Sequence, residues 1–593
     1  MNVKRFFYIS VANVLSVVLL FSCYLSDAMS TGVFAQNETK QIKVAFIADI
    51  HLHAPEAAAA TLPMDVLPTD PENQAPILLR SMRSQLNSTR LFNENILVFK
   101  EALNDVVERG IKLVALPGDF TDDGQPVNIL ALKEILDEYG QKHGLRFFAI
   151  NGNHDPVRPF TRPGGKRDFI NHEGKEISVM SPSHQECISG KSDFCSELVK
   201  EWGYREIAQS LSEHGFSPLP ADTLFETPFN TVELAERHWQ WCDAEKFCVD
   251  MPDMSYLVEP VEGLWLLAID ANVYRPKGSL RGKEFYGSSN AGYNALVKYK
   301  PKLLDWIKDV VARAEKQNKK LVSFSHFPMA EFSDQQTQII SELLGENALQ
   351  MSRQPSVDTT SALAATGLKL HLGGHMHLFD VSQSTEHGLT NVQVPSLAAY
   401  QPGYSIVTVN TEGRTIVETV IVREVKNFSK WFSIYEKEWA YLHKSQQAAW
   451  NINTLSSKSY LDFTDQHLQQ IVNYRYIDEW PSVLVELFST NTVGDIVELI
   501  QCTSSLDSPE NSGELNAKNL VIDFYRARSA GSFARLALTH NFYDELARCL
   551  SRQDNDKRSP ITDSGTPLKE ALILITNTVL ASRQDAGIID LPL

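Results

Sequence analysis

Residues 43–51 read KVAFIADIH, a short apolar run that ends in two polar side chains, Asp49 and His51. The apolar part has the length of a buried β-strand. In an extended segment, residues two positions apart project to the same side, so this Asp and His can bind one ion together. The stretch therefore predicts a strand whose carboxyl end carries a metal-binding pair.

The same arrangement, an apolar run followed by a polar group, recurs twice in the next hundred residues. Residues 111–116 (IKLVAL) run into GDFTD at 118–122, and residues 145–150 (LRFFAI) run into GNHD at 152–155. Apolar residues at helical spacing separate these strands, over 93–109 and 126–139. Strands that alternate with helices predict an α/β fold with buried, largely parallel strands.

Two later strands end in histidines. Residues 320–325 run into His326, and residues 368–372 run into GHMH at 374–377, which contains His375 and His377. In open α/β sheets, functional residues lie beyond the carboxyl ends of the strands, so the five polar groups should converge. Their donors are carboxylate, imidazole and amide oxygen without a thiolate, a set that suits manganese, iron or zinc. We therefore expect a site for two divalent or trivalent metal ions.

The five groups, D-x-H, G-D-x-x-D, G-N-H-D, a lone His and G-H-x-H, together resemble the calcineurin-like metallophosphoesterase family over residues 42–425. The resemblance implies a four-layer α/β/β/α sandwich with a dinuclear metal centre at one edge of the sheets. It implies that Asp49, His51 and His377 bind one metal ion. It implies that Asn153, His326 and His375 bind the other ion and that Asp119 bridges the two. His154 would donate a proton to the leaving group, and Asp122 would orient His154 through a hydrogen bond.

Three positions distinguish branches of the family. Asp123 stands where protein phosphatases have Arg, and Asp155 stands where they have Glu. Asp122 stands where purple acid phosphatases carry a metal-binding Tyr. The motifs are closer to those of bacterial cyclic-nucleotide phosphodiesterases, so we expect hydrolysis of small phosphodiesters. The alternatives are a phosphomonoesterase or nuclease of the same fold, or a surface binding protein without catalysis.

Two stretches, about 54–92 and 156–261, interrupt the regular pattern and predict long insertions above the site. The second insertion begins with four basic residues close to the GNHD turn: Arg158, Arg162, Lys166 and Arg167. Arg158 and Arg162 are our candidates for binding an anionic group of the substrate. A solvated loop is the alternative explanation of this cluster.

The remaining 427–593 segment is expected to be mainly helical. Aromatic residues recur at helical spacing between 428 and 442, a pattern typical of core packing; membrane or partner contact is the alternative. The formal net charge of the chain is −18. This acidic balance disfavours a nucleic-acid partner, because phosphate contacts require basic surface.

The N-terminus is typical of an export signal. Lys4 and Arg5 precede an apolar run over 6–21, which favours a signal within residues 1–35 over a membrane anchor. Cleavage is expected either before Cys23, which would then be lipidated and attach the protein to the membrane, or before Gln36.

The cysteines give a second indication of the compartment. The chain has 7 Cys, and six remain if Cys23 is set aside. An even number is expected when cysteines pair in an oxidising compartment. We predict that Cys187 pairs with Cys195 and Cys242 with Cys248, which leaves Cys502 and Cys549; free buried thiols are the alternative. The protein is therefore expected in the periplasm, on the cell surface or outside the cell.

Overall fold

A computed structural model describes residues 41–60, 62–384, 388–410, 414–502, 514–555, 567–584 and 587–592. The predicted signal and Cys23 lie outside these residues. Within them, no helix combines the length and apolar character that crossing a membrane requires.

Strands alternate with helices around the first motifs, and later parts of the chain also contain strands that follow one another directly. The strands are β1 (Ile42–Phe46), β2 (Leu79–Arg80), β3 (Leu113–Pro117), β4 (Arg146–Ile150), β5 (Gly165–Ile170), β6 (Glu176–Met180), β7 (Phe194–Cys195), β8 (Leu224–Glu226), β9 (His238–Cys242), β10 (Cys248–Pro252), β11 (Tyr256–Val261), β12 (Leu264–Ala268), β13 (Lys320–Phe324), β14 (Leu370–Gly373), β15 (Asp380–Gln383), β16 (Thr390–Gln393), β17 (Gly403–Val409), β18 (Arg414–Ile421) and β19 (Ile588–Pro592). The helices are α1 (Pro55–Ala59), α2 (Met82–Leu86), α3 (Asn95–Glu108), α4 (Pro126–His143), α5 (Gln185–Ile188), α6 (Tyr204–Ser210), α7 (Gly292–Tyr299), α8 (Pro301–Lys316), α9 (Thr337–Leu344), α10 (Val357–Ala364), α11 (Phe432–Lys444), α12 (Tyr460–Tyr474), α13 (Ser482–Thr490), α14 (Val493–Leu499), α15 (Lys518–Ala530), α16 (His540–Asn555) and α17 (Leu568–Ala581).

Two large mixed sheets carry the motif strands. The first has the order β19-β18-β17-β1-β3-β4, and the second has the order β15-β16-β14-β13-β12-β11-β8. The strands that precede the predicted ligands are parallel neighbours: β1 pairs with β3, β3 with β4, and β13 with β14. Their carboxyl ends therefore lie at the same edge of each sheet.

The two sheets pack face to face. Phe46 of β1 meets Phe324 of β13 edge to face, with ring centroids 5.8 Å apart. Apolar residues of α3 and α4 belong to the same buried cluster as the first sheet. On the far side, Ile307 of α8 packs in one cluster with Trp265 of β12. The predicted four-layer α/β/β/α sandwich is confirmed.

The second predicted insertion is shorter than 156–261. Strand β11 lies inside the second large sheet, between β12 and β8, so the chain has rejoined the sandwich by Tyr256. Both faces of β11 are buried, which removes the alternation that marks a half-exposed strand, and Pro260 weakens the strand signal further. The insertions also form their own four-stranded sheet, β2-β5-β6-β7.

The C-terminal boundary also differs from the predicted one at 427. The aromatic residues Trp431, Tyr435 and Phe463 pack in the core of the sandwich. Leu468 belongs to a second core, which the later helices form together with a few earlier residues such as Ile340 and Tyr400. The last strand, β19, pairs with β18 and forms the edge of the first sheet. The helical region predicted for 427–593 thus ends in a strand that returns to the sandwich.

Three disulfides are present. The predicted pairs Cys187–Cys195 and Cys242–Cys248 are confirmed, and Cys502 is bonded to Cys549. This pairing of all six described cysteines fits an exported protein.

Candidate dinuclear metal centre

The seven predicted ligands come together where the carboxyl ends of the motif strands in the two sheets meet. One group of donor atoms belongs to Asp49, His51 and His377, and another belongs to Asp119, His326 and His375. Within each group the donor atoms lie within 4.8 Å of one another. The seventh predicted ligand, Asn153, places Oδ1 3.1 Å from His326 Nε2.

Asp119 lies between the two groups. Its Oδ2 is 3.8 Å from His51 Nε2 in the first group and 3.1 Å from His326 Nε2 in the second. A carboxylate in this position can contact two ions at once, as the resemblance implies. The individual metal-binding roles remain predictions.

Backbone carbonyls fix the ring orientation of three histidines. His326 Nδ1 lies 3.1 Å from Pro117 O, and His375 Nε2 lies 2.8 Å from Ser289 O. His377 Nδ1 lies 3.2 Å from Thr89 O. A carbonyl oxygen only accepts, so each of these nitrogens carries a proton, and in a neutral ring the other nitrogen directs a lone pair into the cluster. Metal-binding histidines are held in this way, so the donor set fits two metal ions.

The local backbone is unusual at the ligands. Asp49, His51, Asp119, His375 and His377 all have positive φ angles, between 45° and 74°. Such a conformation costs a non-glycine residue about 1–3 kcal/mol and persists only where the surrounding structure enforces it. The D-x-H and H-x-H pairs are therefore strained turns rather than the extended segments that alternation in sequence predicts.

Two positions require glycine because a carboxylate from another strand lies very close to the backbone there. A Cβ on Gly374 would overlap the Asp49 carboxylate, and a Cβ on Gly152 would overlap the Asp119 carboxylate. The glycine before each of these ligand turns thus leaves space for a carboxylate from a different strand.

The charges and the burial of the site favour the binding of cations. Burial, reinforced by Arg90, lowers the pKa of His51 well below its ordinary value. Burial and Arg353 do the same for His375, so both rings stay neutral and can donate lone pairs. Burial alone would also lower the pKa of His326, but the negative charges of Asp119 and Asp49 outweigh it and raise the pKa to about 9. The same negative field attracts metal cations.

The predicted proton donor, His154, lies beside the cluster but is oriented by Asp123 rather than by Asp122. His154 Nδ1 lies 2.5 Å from Asp123 Oδ1, and its side chain is 23% exposed, so the ring is accessible from the pocket. Its backbone N–H donates to Asp119 Oδ1 at 2.7 Å. Asp123 has a φ of 65°, and this left-handed backbone conformation accompanies the contact of its carboxylate with the ring.

Asp122 instead holds a buried ionic network. Its carboxylate forms ion pairs with Arg80, with Arg90 at 3.1 Å and with Lys166 at 3.4 Å. Burial would raise the pKa of Asp122, but these cations outweigh it and hold the pKa well below its ordinary value. Arg80 and Arg90 come from the first insertion and Lys166 from the second, so Asp122 ties both insertions to the site.

In the basic cluster after the GNHD turn, Lys166 pairs with Asp122 and Asp123 beside His154, whereas the three arginines lie elsewhere. Arg162 pairs with Glu201, and Arg167 pairs with Glu186. Arg158 donates to the backbone oxygen of Val157 and does not line the pocket. Substrate binding by Arg158 and Arg162 is therefore not supported, because the fold directs these side chains to partners within the second insertion.

The metal cluster opens into a pocket of about 90 Å³. Asp119, Asn153 and His154 line it together with His375 and His377, and most of the remaining lining lies outside the sequence motifs. Three arginines contribute to it: Arg90, Arg353 and Arg528. Tyr476 and Tyr525 of the helical C-terminal region also line it. None of these five residues belongs to a motif, and they lie far apart in the chain, so no local signal identifies them.

The solved structures that resemble the chain share little sequence with it. They include GAP50, the anchor in the inner membrane complex of Plasmodium, with 12% identity and a TM-score of 0.28, covering 64% of this chain and 84% of that one. They include the purple acid phosphatase PPD1 from yellow lupin seeds, with 10% identity and a TM-score of 0.31, covering 65% and 52%. The phosphopantetheinyl hydrolase PptH from Mycobacterium tuberculosis has 11% identity and a TM-score of 0.22, covering 60% and 90%.

No curated protein sequence matches the chain. The sequence profile described as calcineurin-like phosphoesterase matches residues 42–379, which is more than half of the chain and contains every predicted ligand. The chain therefore belongs to the calcineurin-like phosphoesterase family.

Proposed function

We propose that this protein hydrolyses small phosphomonoesters with two metal ions, outside the cytoplasm. The observation that carries the proposal is the convergence of carboxylate and imidazole donors from five strand ends on one buried cluster. Asp49, His51 and His377 would hold one ion; Asn153, His326 and His375 would hold the other, with Asp119 between them. When bound, manganese, iron or zinc ions neutralise phosphoryl oxygens and lower the pKa of an attacking water.

His154 supplies the proton that the leaving group needs. Its Nδ1–H donates to Asp123, which fixes the plane of the ring. The remaining ring nitrogen, Nε2, is then the atom from which a proton can pass to a departing alkoxide. Asp123 acts through His154 and is a positioning residue.

The arginines of the pocket favour a monoester over the diester expected from the motifs. A monoester carries two negative charges at the reacting phosphate, whereas a diester carries one, so a monoester gains more from arginines near the metal ligands. Arg90 and Arg353 line the same pocket as Asp119 and Asn153, and the charge of Arg353 acts on both Asp119 and His375. Guanidinium groups bind phosphate oxygens through strong, charge-assisted hydrogen bonds.

The test compares kcat/KM for nitrophenyl phosphate and bis-nitrophenyl phosphate on the metal-loaded protein. We expect a preference for the monoester, and Arg353→Gln should reduce that preference by about 10-fold or more, the size expected for a hydrogen bond to a charged group. A stronger activity on the diester would restore the phosphodiesterase interpretation. Failure to hydrolyse either ester, with both metals bound, would contradict the proposed phosphoesterase activity.

Export is the other part of the proposal. The charged and apolar N-terminus and the three disulfides support it. Mapping the mature N-terminus distinguishes the two processing routes: a lipidated Cys23 predicts membrane attachment that Cys23→Ala abolishes, and an N-terminus at Gln36 predicts free secretion. An intact Met1 in the mature protein would contradict both.

A further inference from the structure

The helical C-terminal region forms one wall of the metal pocket. Tyr525 and Arg528 of α15, together with Tyr476, line the same cavity as Asp119 and Asn153. The predicted metal ligands Asp119 and Asn153 belong to the sandwich, whereas Tyr476, Tyr525 and Arg528 follow the family match, which ends at residue 379.

Arg528 differs from its neighbour on the same helix. Arg526 pairs with Asp465 at 2.7 Å and with Asp523 at 3.1 Å. Arg528 donates from Nη2 to the backbone oxygen of Leu349 at 2.9 Å, but forms no ion pair with a carboxylate in the described ranges of the chain. Glu479 and Asp334 act on Arg528 only at longer range, and Glu479 Oε2 already accepts from Leu349 N at 2.8 Å.

A guanidinium group without an anionic partner is costly in a partly buried position. Burial lowers the pKa of Arg528, which reflects this unfavourable environment for its charge. Buried charges are normally paired, so an arginine that lines a pocket without a counter-ion indicates that a ligand supplies the anion. The hydrogen bond to Leu349 leaves further N–H groups of the Arg528 guanidinium available.

We propose that Arg528 binds a second anionic group of the substrate, so that the enzyme prefers small phosphate esters whose leaving group carries a carboxylate or another phosphate. The inference rests on the proposed phosphoesterase function and names its substrate class. Tyr476 and Tyr525 stack on each other with centroids 4.9 Å apart and an angle of 20° between the rings. They give the pocket an apolar surface beside Arg528, against which the carbon skeleton between the two anions packs.

The test is calorimetric binding of two unreactive phosphonates to the metal-loaded full chain. Carboxyethylphosphonate carries a second anion, and propylphosphonate has a neutral tail of similar length. We expect the wild-type protein to bind the carboxylate about 10- to 100-fold more tightly, as a charge-assisted hydrogen bond predicts. Arg528→Gln should reduce this ratio to about threefold or less by the same argument. Ethylene bisphosphonate, measured in parallel, shows whether a phosphate is preferred to a carboxylate.

Arg167→Gln is the matched control, since Arg167 is 68% exposed and pairs with Glu186 away from the pocket; it should keep the wild-type ratio. A ratio near one in the wild type, or the same ratio in Arg528→Gln, would overturn the proposal. So would a lower melting temperature of Arg528→Gln with equal loss of both ligands, because Arg528 would then be structural. Nitrophenyl phosphate turnover separates the two proposals: hydrolysis without ligand preference rejects only this inference, whereas no hydrolysis and no binding reject both.

Discussion

The two walls of the pocket are built in different ways. On the sandwich side, the predicted ligands follow strand ends, and their donor atoms gather within 4.8 Å in each group. On the opposite side, Tyr476, Tyr525 and Arg528 come from the helical region and belong to no motif. The predicted metal ligands thus follow short local patterns, whereas the residues proposed to select the substrate come together through packing between distant segments.

The largest effect is expected from a substitution between the two groups of predicted metal ligands. Asp119→Ala removes the carboxylate between the two metal groups, so we expect loss of bound metal and a fall in kcat of at least about 10³-fold. Elemental analysis and a phosphatase assay measure the two losses. Prolonged chelation should reproduce them in the wild type, and Mn²⁺ should restore activity. Asp119→Ala with two bound metals and full activity would refute the assignment of the site.

The next effect concerns proton donation. His154→Ala should retain both metals and lose about 10²- to 10⁴-fold in kcat on an alkyl phosphate, which has a poor leaving group. The loss on nitrophenyl phosphate should be smaller, because nitrophenolate needs no proton. Asp123→Asn should show the same dependence on the leaving group, since Asp123 orients the ring. If the alkyl and nitrophenyl esters lose rate equally, His154 is not the donor.

A third effect should appear in stability. Asp122→Asn removes a carboxylate that Arg80, Arg90 and Lys166 share. Asp168 still pairs with Arg80 and Asp123 with Lys166, so we expect a loss of up to about 3–5 kcal/mol of unfolding free energy, the cost of breaking a buried ion pair. Urea unfolding measures this loss. Asp168→Asn is the matched comparison, because Asp168 pairs with Arg80 and is more exposed; its loss should be smaller. Equal losses would mean that Asp122 does not hold the insertions together.

The smallest contrast compares the disulfides of the two regions. Cys502–Cys549 spans 47 residues of the helical region, and Cys242–Cys248 spans 6 residues of a hairpin. The loop-entropy relation predicts losses of about 4 and about 2 kcal/mol when each pair is replaced by Ser. Chemical unfolding of the two double variants tests this order. A larger loss from the hairpin pair would show that the helical region is not stabilised by its cross-link.

The sequence by itself determined the α/β alternation, the predicted metal ligands that converge and two disulfide pairs. These features depend on local rules: strand ends carry the functional residues, and nearby cysteines find each other first. The family resemblance predicts Asp122 as the partner of His154, whereas the fold gives this contact to Asp123. Asp122 instead pairs with Arg80 and Arg90, which the first insertion brings to it and which no local pattern predicts.

Only the tertiary structure decided which residues line the pocket around the predicted metal ligands. Arg158 and Arg162 lie near the GNHD turn in sequence, but Arg162 pairs within the insertion and neither arginine lines the pocket. Arg353 and Arg528 lie about 200 and 375 positions beyond that turn and reach the pocket through the packing of helices. The strand β19 joins the first sheet after a long helical excursion for the same reason. Contacts between segments so distant in the chain depend on the summed packing of whole surfaces, which a local pattern of residues does not encode.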